Sequence, residues 1–405
     1  MLPKLKIAML CAAMAWPLLS AAGFAQAFEE LDARLADHPS LKALAYQADA
    51  SRERSLAATA LPDPVVSVGI NNFPVFDPSF SAFLPTNKAV GISQAFPGRA
   101  GREARSGESR AMAAQTERVR AAQLATLRGE LIALLHEKAR VSRQRDLARA
   151  RSGKYDELTR VVEAEIDAGR PAVYRLAEVD IERASVARLL VDLQRAEAEI
   201  DARLMDMVGV IPETPAPPVA PIDWMGEALD FHIVRVAEAA IQVTAFAIDG
   251  AEASWKPNWG TQFTYQQREA GAMFAGDDWV SGMVTFTVPL WAGRSQAPRL
   301  RAAKADRANA EMRYQAAARS AAARYATEAA AWRSAHDTVN ILSANIAAVE
   351  DKIASQLTIY ESGAGTYAPI IDGEIAILKL RGDIAAEEAR RAASIARMNA
   401  LLVQS

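Results

Sequence analysis

The sequence predicts a mostly α-helical protein with a small β part, in which a helix–strand–strand–long helix–helix unit occurs twice. Three observations support this fold class. Landmark residues recur at one spacing, apolar residues keep coiled-coil spacing over long stretches, and short segments alternate between apolar and polar residues. About seventy helical residues extend roughly 105 Å, so the longest predicted helices exceed the needs of a compact globular domain.

The predicted duplication rests on residues that recur in the same order. Between the two copies lies a proline-dense stretch, residues 211–225, which cannot continue a helix and indicates a linker. The sequence therefore predicts a first repeat over residues 28–210 and a second over residues 226–405. The recurring pairs are Pro62 and Pro257, Phe96 and Trp291, Gly98 and Gly293, and Arg99 and Arg294, each 195 residues apart, and Gly169 and Gly363, which are 194 apart.

The first repeat begins with a predicted helix over residues 28–61, which ends before Pro62-Asp63-Pro64. Strands are expected at about 65–73 and 87–96. A helix then runs from Gly98 to residue 168 and stops at a turn made of Gly169, Arg170 and Pro171, because glycine and proline favour the end of a helix. A shorter helix over residues 171–209 returns.

The second repeat follows the same order. A helix is predicted over about 226–254, before Pro257, and strands near 258–267 and 279–290, the latter containing Pro289. The long helix spans residues 293–362, beginning at Gly293, and breaks at a turn made of Gly363, Ala364 and Gly365.

Heptad spacing predicts how the helices pack. Apolar residues step by three and four along both long helices and along the first returning helix. Ordinary helix packing explains such stripes, so their length is the informative feature. The stripes are Leu124, Leu127, Leu131 and Leu134; Val179, Val186, Leu190, Leu193, Ile200, Leu204 and Met207; and Val339, Leu342, Ile346, Val349, Ile353, Leu357 and Tyr360.

The strands alternate with a period of two, as shown by Val66, Val68 and Ile70 against Ser67 and Gly69. An apolar-out, polar-in pattern is typical of a transmembrane barrel with a wet interior. A soluble sandwich shows the same alternation, and the strands alone do not decide between them. Four strands leave two open sheet edges, so several subunits would have to contribute strands to one barrel.

The N-terminal residues have the pattern of a cleaved secretory signal peptide over 1–27. Lys4 and Lys6 precede a short apolar run, and small residues surround a cleavage point after Ala27. The competing reading is a retained membrane anchor. Cys11, the single cysteine, lies inside the apolar run in the wrong context for lipid attachment. The mature chain would then lack cysteine and therefore disulfides.

With these features in view, the chain resembles the TolC family of outer-membrane efflux proteins. The resemblance covers the predicted mature chain and rests on the duplication, on Leu61-Pro62-Asp63-Pro64 at the strand entry and on the Gly-bearing turns. It implies a homotrimer with a twelve-stranded β-barrel and a long periplasmic α-helical barrel. Pro62, Pro64 and Gly98, and in the second repeat Pro257, Pro289 and Gly293, would then lie at the barrel-to-helix junctions.

The resemblance also implies partners and a cargo. The subunit would be a passive conduit between an outer membrane and the periplasm, joined to a periplasmic adaptor and an inner-membrane pump of the resistance-nodulation-division type. The segment Gly91-Ile92-Ser93-Gln94-Ala95-Phe96-Pro97 is most similar to channels of the heavy-metal branch, such as the cobalt-zinc-cadmium or copper-silver systems. A multidrug or type I secretion channel of the same architecture is the alternative.

Function is expected at the two helical turns, which would form the periplasmic tip where an adaptor docks. Glu178 and Asp372 each lie nine residues beyond a turn glycine, and Asp372 falls where family members carry a pore-lining carboxylate. Tyr360 is expected at the same aperture. Pro369 replaces a second residue that is often acidic in relatives, so a double carboxylate ring is in doubt.

No catalytic, cofactor or nucleic-acid site is predicted. The chain has a formal net charge of -3 and carries no nucleotide or phosphate-binding glycine motif. A periplasmic coiled-coil adaptor would show one hairpin inserted into a strand-rich body, and a soluble enzyme would need a site that is missing here. We expect no metal site, because the four histidines are widely dispersed: His38, His136, His232 and His336.

Overall fold

The structure, a computed structural model, describes residues 28–170 and 173–403; the predicted signal peptide and Pro171 lie outside the described residues. A short 3₁₀ turn covers Ala228–Asp230. The α-helices of the described part are α1 over residues 28–36, α2 (Pro39–Thr59), α3 (Arg99–Asp167), α4 (Val173–Val208), α5 (His232–Ala253), α6 (Gln296–Glu361) and α7 (Ala368–Leu401).

The first predicted helix is wrong in being continuous, because the chain leaves the helix at Asp37 and His38. Pro39 has no N–H and therefore starts a helix more easily than it continues one. The ring nitrogen Nδ1 of His38 accepts a hydrogen bond from the Ser40 N–H at 3.3 Å, which satisfies one free donor in the first turn of α2.

Four strands form one antiparallel sheet in the order β1-β2-β3-β4. The predicted bounds of the middle strands are confirmed, whereas the outer strands end earlier than predicted. β1 stops before Asn72, whose φ of 53° leaves the extended region, and β4 stops before Pro289, which cannot donate to a strand ladder. The strands are β1 (Val65–Asn71), β2 (Asn87–Phe96), β3 (Asn258–Gln267) and β4 (Trp279–Thr287).

One face of this sheet is apolar and exposed. Residues directly opposite in neighbouring antiparallel strands point to the same face, so the register assigns each side chain to a face. The predicted alternation is confirmed by two adjacent rows that cross all four strands. The apolar face carries Val68, Val90, Tyr265 and Val280, all exposed, and the other face carries Ser67, Gly91, Thr264 and Ser281.

The sheet has two open edges within the described part of the chain. β1 pairs only with β2, and β4 pairs only with β3. Each outer strand therefore presents a row of backbone N–H and C=O groups on its free side.

The chain divides into two compact units by its internal contacts. Among the described residues, unit 1 comprises residues 28–42, 120–170, 173–233 and 318–403, and unit 2 comprises residues 43–119 and 234–317. Each unit takes segments from both predicted repeats. The element order α2-β1-β2-α3-α4 recurs as α5-β3-β4-α6-α7.

The core of unit 1 follows the predicted heptads. Along α4, the buried residues Val179, Val186, Leu193, Ile200 and Met207 recur every seven positions. Leu193, Ile200 and Met207 pack with buried leucines of α1 and α3, whereas Val179 and Val186 pack in a second cluster with residues of α3 and α7. This spacing keeps one seam of α4 against its neighbour over the whole helix.

The stripe of α6 is packed less completely. Val349 and Ile353 lie against the backbone of Gly373 in α7, where an added Cβ would come within 2.6 Å of the Ile353 side chain. Leu357 and Tyr360, farther along the same stripe, are exposed in the single chain.

The proline-rich linker is held against unit 1 by side-chain donors. Proline removes N–H groups, so the linker offers mainly carbonyl acceptors. Lys138 donates to the Pro212 carbonyl at 3.2 Å, and Asn399 donates to the Ala220 carbonyl at 2.8 Å. No helix in the described part of the chain is both long and apolar enough to cross a membrane.

Candidate functional site

The two predicted helical turns have the same backbone geometry. Gly169 follows α3 with φ of 80°, and its N–H bonds to the Ile166 carbonyl at 2.8 Å while the Arg170 N–H reaches the Glu165 carbonyl at 3.0 Å. This pair of bonds is a Schellman cap, which requires the left-handed conformation that glycine adopts without strain.

The second turn repeats this cap after α6. Gly363 has φ of 77°, its N–H bonds to the Tyr360 carbonyl at 2.9 Å, and the Ala364 N–H bonds to the Ile359 carbonyl at 3.2 Å. A Cβ on Gly365 would lie 2.9 Å from the Ile359 side chain, so this glycine allows a close approach. The left-handed caps therefore explain Gly169 and Gly363, independently of any docking role.

Aromatic residues lie beside the second turn. The rings of Tyr360 and Tyr367 meet edge to face, with their centroids 5.3 Å apart and an angle of 63° between their planes. Tyr360 is exposed and Tyr367 is half-buried. The pair connects the last turn of α6 with the residue that precedes α7.

Asp372 is not an isolated carboxylate. The guanidinium of Arg175, on α4, donates from Nη2 to Oδ2 of Asp372, on α7, at 2.6 Å. The Asp372 side chain remains half exposed, and Arg175 is better covered. Arg175 was not predicted from the sequence. It lies six residues beyond Gly169, the position that Pro369 occupies relative to Gly363, and comparing the two turns position by position was the signal that could have found it.

This ion pair borders a cleft of about 350 Å³ in unit 1. Glu178 is exposed on its rim. Tyr155 of α3, also in the lining, donates its hydroxyl to Glu182 at 3.1 Å, and burial raises the pKa of that tyrosine. The cleft thus joins α3, α4 and α7, and both Asp372 and Glu178 lie in its lining.

A second charged cluster ties α3 to α7 near this cleft. The ammonium group of Lys154 lies 2.7 Å from Glu374 and 2.9 Å from Glu157. The hydrogen bonds that Lys154 donates to these carboxylates, Glu374 first, raise its pKa to about 12. Lys154 therefore stays charged at any physiological pH and holds the two helices by opposite charge.

The junction residues lie beside the sheet in unit 2. The Gln94 side chain donates to the Pro62 carbonyl at 2.7 Å, and the Gly98 N–H donates to the Asn258 side chain at 2.7 Å. Phe96 stacks on Trp259 with ring centroids 4.1 Å apart. Strand ends and helix starts are therefore linked directly.

The other predicted junction residues lie in the connecting segments. Pro64 directly precedes β1, Pro257 directly precedes β3, and Pro289 and Gly293 lie between β4 and α6. An added Cβ on Gly293 would meet no atom within 4 Å, so packing does not require a glycine there.

The histidines have separate surroundings. The Nε2–H of His136 donates a hydrogen bond of 2.9 Å to the Pro217 carbonyl, and burial lowers the pKa of its ring. His38 caps α2, whereas His232 starts α5 and His336 lies within α6. Across residues 28–170 and 173–403, no cluster of three His, Cys, Asp or Glu side chains is suited to hold a metal ion.

Solved structures share this fold. CusC, studied for its folding and transmembrane channel formation, aligns at a TM-score of 0.75 and 15% identity over 92% of this chain and 91% of its own. The outer membrane protein VceC of Vibrio cholerae aligns at 0.73 and 15% identity over 93% and 96%.

The MtrE outer membrane channel of Neisseria gonorrhoeae, in its open state, aligns at a TM-score of 0.68 and 16% identity over 92% of this chain and 88% of its own. No protein family model and no curated protein sequence matches the chain. The structural likeness confirms the predicted TolC-like fold, and the neighbours are channel proteins.

Proposed function

We propose that the chain is the outer-membrane channel subunit of a tripartite export system and acts as a passive conduit, without catalysis. The observation that carries this proposal is the four-stranded sheet with an exposed apolar face, a polar face and two unpaired edges. In water such a face would be a liability, whereas in a bilayer it would be covered by lipid.

The open edges support a homo-oligomer. β1 of one copy can pair with β4 of the next, which removes every free edge once the ring closes. Three copies would close a twelve-stranded barrel, above the minimum of about eight strands for barrels of this kind. The number three comes from the resemblance to the TolC family, and the fold shared with outer membrane channels favours it.

The helical turns are proposed as the periplasmic tip. Gly169, Arg170 and Pro171, with Gly363, Ala364 and Gly365, would form the surface on which a periplasmic adaptor docks. Asp372, Glu178 and Tyr360 would lie at the aperture. The Arg175–Asp372 ion pair makes this proposal more specific, because the Asp372 carboxylate of each copy would be partly neutralised by Arg175 of the same chain.

The location and cargo follow the same resemblance. A cleaved signal peptide over residues 1–27, without lipid on Cys11, would deliver the subunit to the outer membrane of a Gram-negative bacterium, from which it extends into the periplasm. An inner-membrane resistance-nodulation-division pump would supply energy. Heavy-metal cations are the cargo favoured by the resemblance, and metal sensitivity of a deletion strain tests that cargo against multidrug or type I secretion.

Disulfide cross-linking tests the proposed ring directly. Cys11, within the predicted signal peptide, is the only cysteine of the chain, so cysteines introduced into the two edge strands would react without background. Ser67→Cys in β1 is combined in turn with Ser281→Cys or Met283→Cys in β4, and membranes are oxidised before electrophoresis.

A correct register should yield covalent trimers, whereas each single variant should yield only monomers. Pairing of the inner strands provides the control, since Ala89→Cys with Gln266→Cys joins positions that are partners within one chain. If the control pair cross-links but no combination of edge-strand cysteines yields covalent trimers, the proposed ring is refuted.

A further inference from the structure

A solvent-open groove of about 1040 Å³ runs along unit 1 between α3, α4, α6 and α7. The surface that α7 gives to this groove is mostly alanine, which leaves room between the longer side chains of its neighbours. The alanines are Ala386, Ala389, Ala393 and Ala400.

Charged side chains from all four helices line this groove, and positive ones outnumber negative ones. The guanidinium groups come from sequence positions that are far apart, so only the fold brings them together. The charged lining residues are Arg140, Arg203, Arg324, Arg390 and Arg397, with Glu130, Glu137 and Glu328.

Two of the arginines are closely paired with glutamates of the lining. Arg203 lies 2.5 Å from Glu130, and Arg140 lies 2.6 Å from Glu137. Arg390 donates one bond of 2.6 Å to Glu387, which is not part of the lining. These pairs account for most of the negative charge near the groove.

Arg397 and Arg324 keep most of their hydrogen-bonding capacity. The nearest carboxylate oxygen to Arg397, from Glu328, is 3.9 Å from Nη1, beyond hydrogen-bond distance. Among the described residues, Arg324 has no hydrogen-bond or ion-pair partner, and it is exposed. A guanidinium carries five N–H donors in a planar fork, which matches the paired oxygens of carboxylate and phosphate groups.

We infer that this groove faces the inside of the proposed conduit and binds oxyanion groups, carboxylate or phosphate, of the solutes that pass along it, with Arg324 and Arg397 as the principal donors. This inference rests on the proposed function. A wall with an excess of positive charge raises the local concentration of anions and lowers that of free cations. It therefore favours anionic cargo over the free heavy-metal cations that the resemblance suggests.

The test compares an Arg324→Gln/Arg397→Gln double variant with the unchanged full-length protein and with a control. Arg195→Gln removes an exposed positive charge from α4 outside the groove; its carboxylate contacts are 4.0 Å long. Two readouts are used: the reversal potential of bilayer currents in a KCl gradient, and the affinity of the detergent-solubilised protein for tripolyphosphate by titration calorimetry.

The double variant should shift the reversal potential toward cation selectivity and bind tripolyphosphate roughly tenfold more weakly, as expected for the loss of two exposed charge contacts. Arg195→Gln should change neither quantity. Glu328→Gln, which removes a negative charge from the same groove, should shift the reversal potential in the opposite direction.

The calorimetric readout separates this inference from the proposed function. A protein that does not conduct, but binds tripolyphosphate more weakly only in the double variant, contradicts the conduit and supports the anion site. Absence of tripolyphosphate binding by the unchanged protein overturns the inference. Equal affinity and equal selectivity in the double variant and the Arg195→Gln control also overturn it.

Discussion

Two neighbouring residues of β4 distinguish the surroundings of the two faces of the sheet. Val284 is 57% exposed and Met283 is 51% exposed in the single chain. They point to opposite faces, Val284 beside Thr261 and Met283 beside Gln262. Replacing either apolar side chain by arginine is therefore the same chemical change at nearly the same exposure, and only the face differs.

The expected magnitudes follow from the proposed lipid contact of the apolar face. Val284 lies near the middle of its strand, where an arginine facing lipid costs about 2–4 kcal/mol, whereas a surface change in water stays within about 0.5 kcal/mol. At about 1.4 kcal/mol for each factor of ten, Val284→Arg should lower the folded-to-unfolded ratio between about thirty-fold and several hundred-fold. Met283→Arg should change it no more than about threefold.

The assay is equilibrium unfolding by urea from liposomes, followed by the fluorescence of the six tryptophans outside the predicted signal peptide. Both variants and the unchanged protein are compared at one lipid concentration. Equal losses in the two variants would mean that both faces meet the same medium, and a larger loss for Met283→Arg would mean that the faces are reversed. Either result would refute the proposed lipid contact.

The remaining predictions concern four single substitutions in the helices and their turns. Asp372→Ala should weaken the block of conductance by divalent cations, because a carboxylate at an aperture attracts them; unchanged block would place Asp372 outside the pore. Gly363→Ala should lower the free energy of unfolding by about 1 kcal/mol, since alanine resists the φ of 77°. Gly153→Ala, within α3 and with open space at its Cβ, should raise the free energy of unfolding by about 0.5–1 kcal/mol. Denaturant titration measures the change in both variants. Changes of the same sign would contradict the left-handed conformation of Gly363 or the helical one of Gly153. Burial lowers the pKa of His136, so the folded state binds fewer protons than the unfolded one below about pH 6.5 and the melting temperature should fall as the pH drops from 7.5 to 5. The melting temperature of His136→Asn should fall less over this pH range. Parallel curves of melting temperature against pH for the two proteins would rule out His136 as the cause.

Strands and long helices were predictable because their signals are local. Alternation with a period of two marked the middle strands to the residue, and the turn glycines marked where α3 and α6 end. The same local reasoning overlooked Pro39, whose missing N–H separates α1 from α2. A His-Pro step inside a helical pattern is itself a local stop signal, so that error was avoidable.

The contacts around Asp372 could not be read from the sequence in the same way. Arg175 and Asp372 lie 197 positions apart, and they meet only because α4 and α7 are brought together in unit 1. Charge spacing within one helix carries no information about such a partner. The expectation of a pore-lining carboxylate at Asp372 therefore omitted the arginine that pairs with it.

The arginine groove was beyond sequence reasoning for a related reason. Its charges come from four helices, so their grouping does not show in the order of residues along the chain. The overall formal charge of -3 even suggests the opposite sign. Only the packing of alanine-rich α7 against its neighbours concentrates the guanidinium groups on one surface.

Planar-bilayer recording of the purified full-length protein tests the conduit most directly. We expect stepwise openings of one unit conductance from the oligomeric fraction, and none from the same sample after heating to separate the subunits. A folded protein that stays monomeric and leaves the bilayer silent would contradict it.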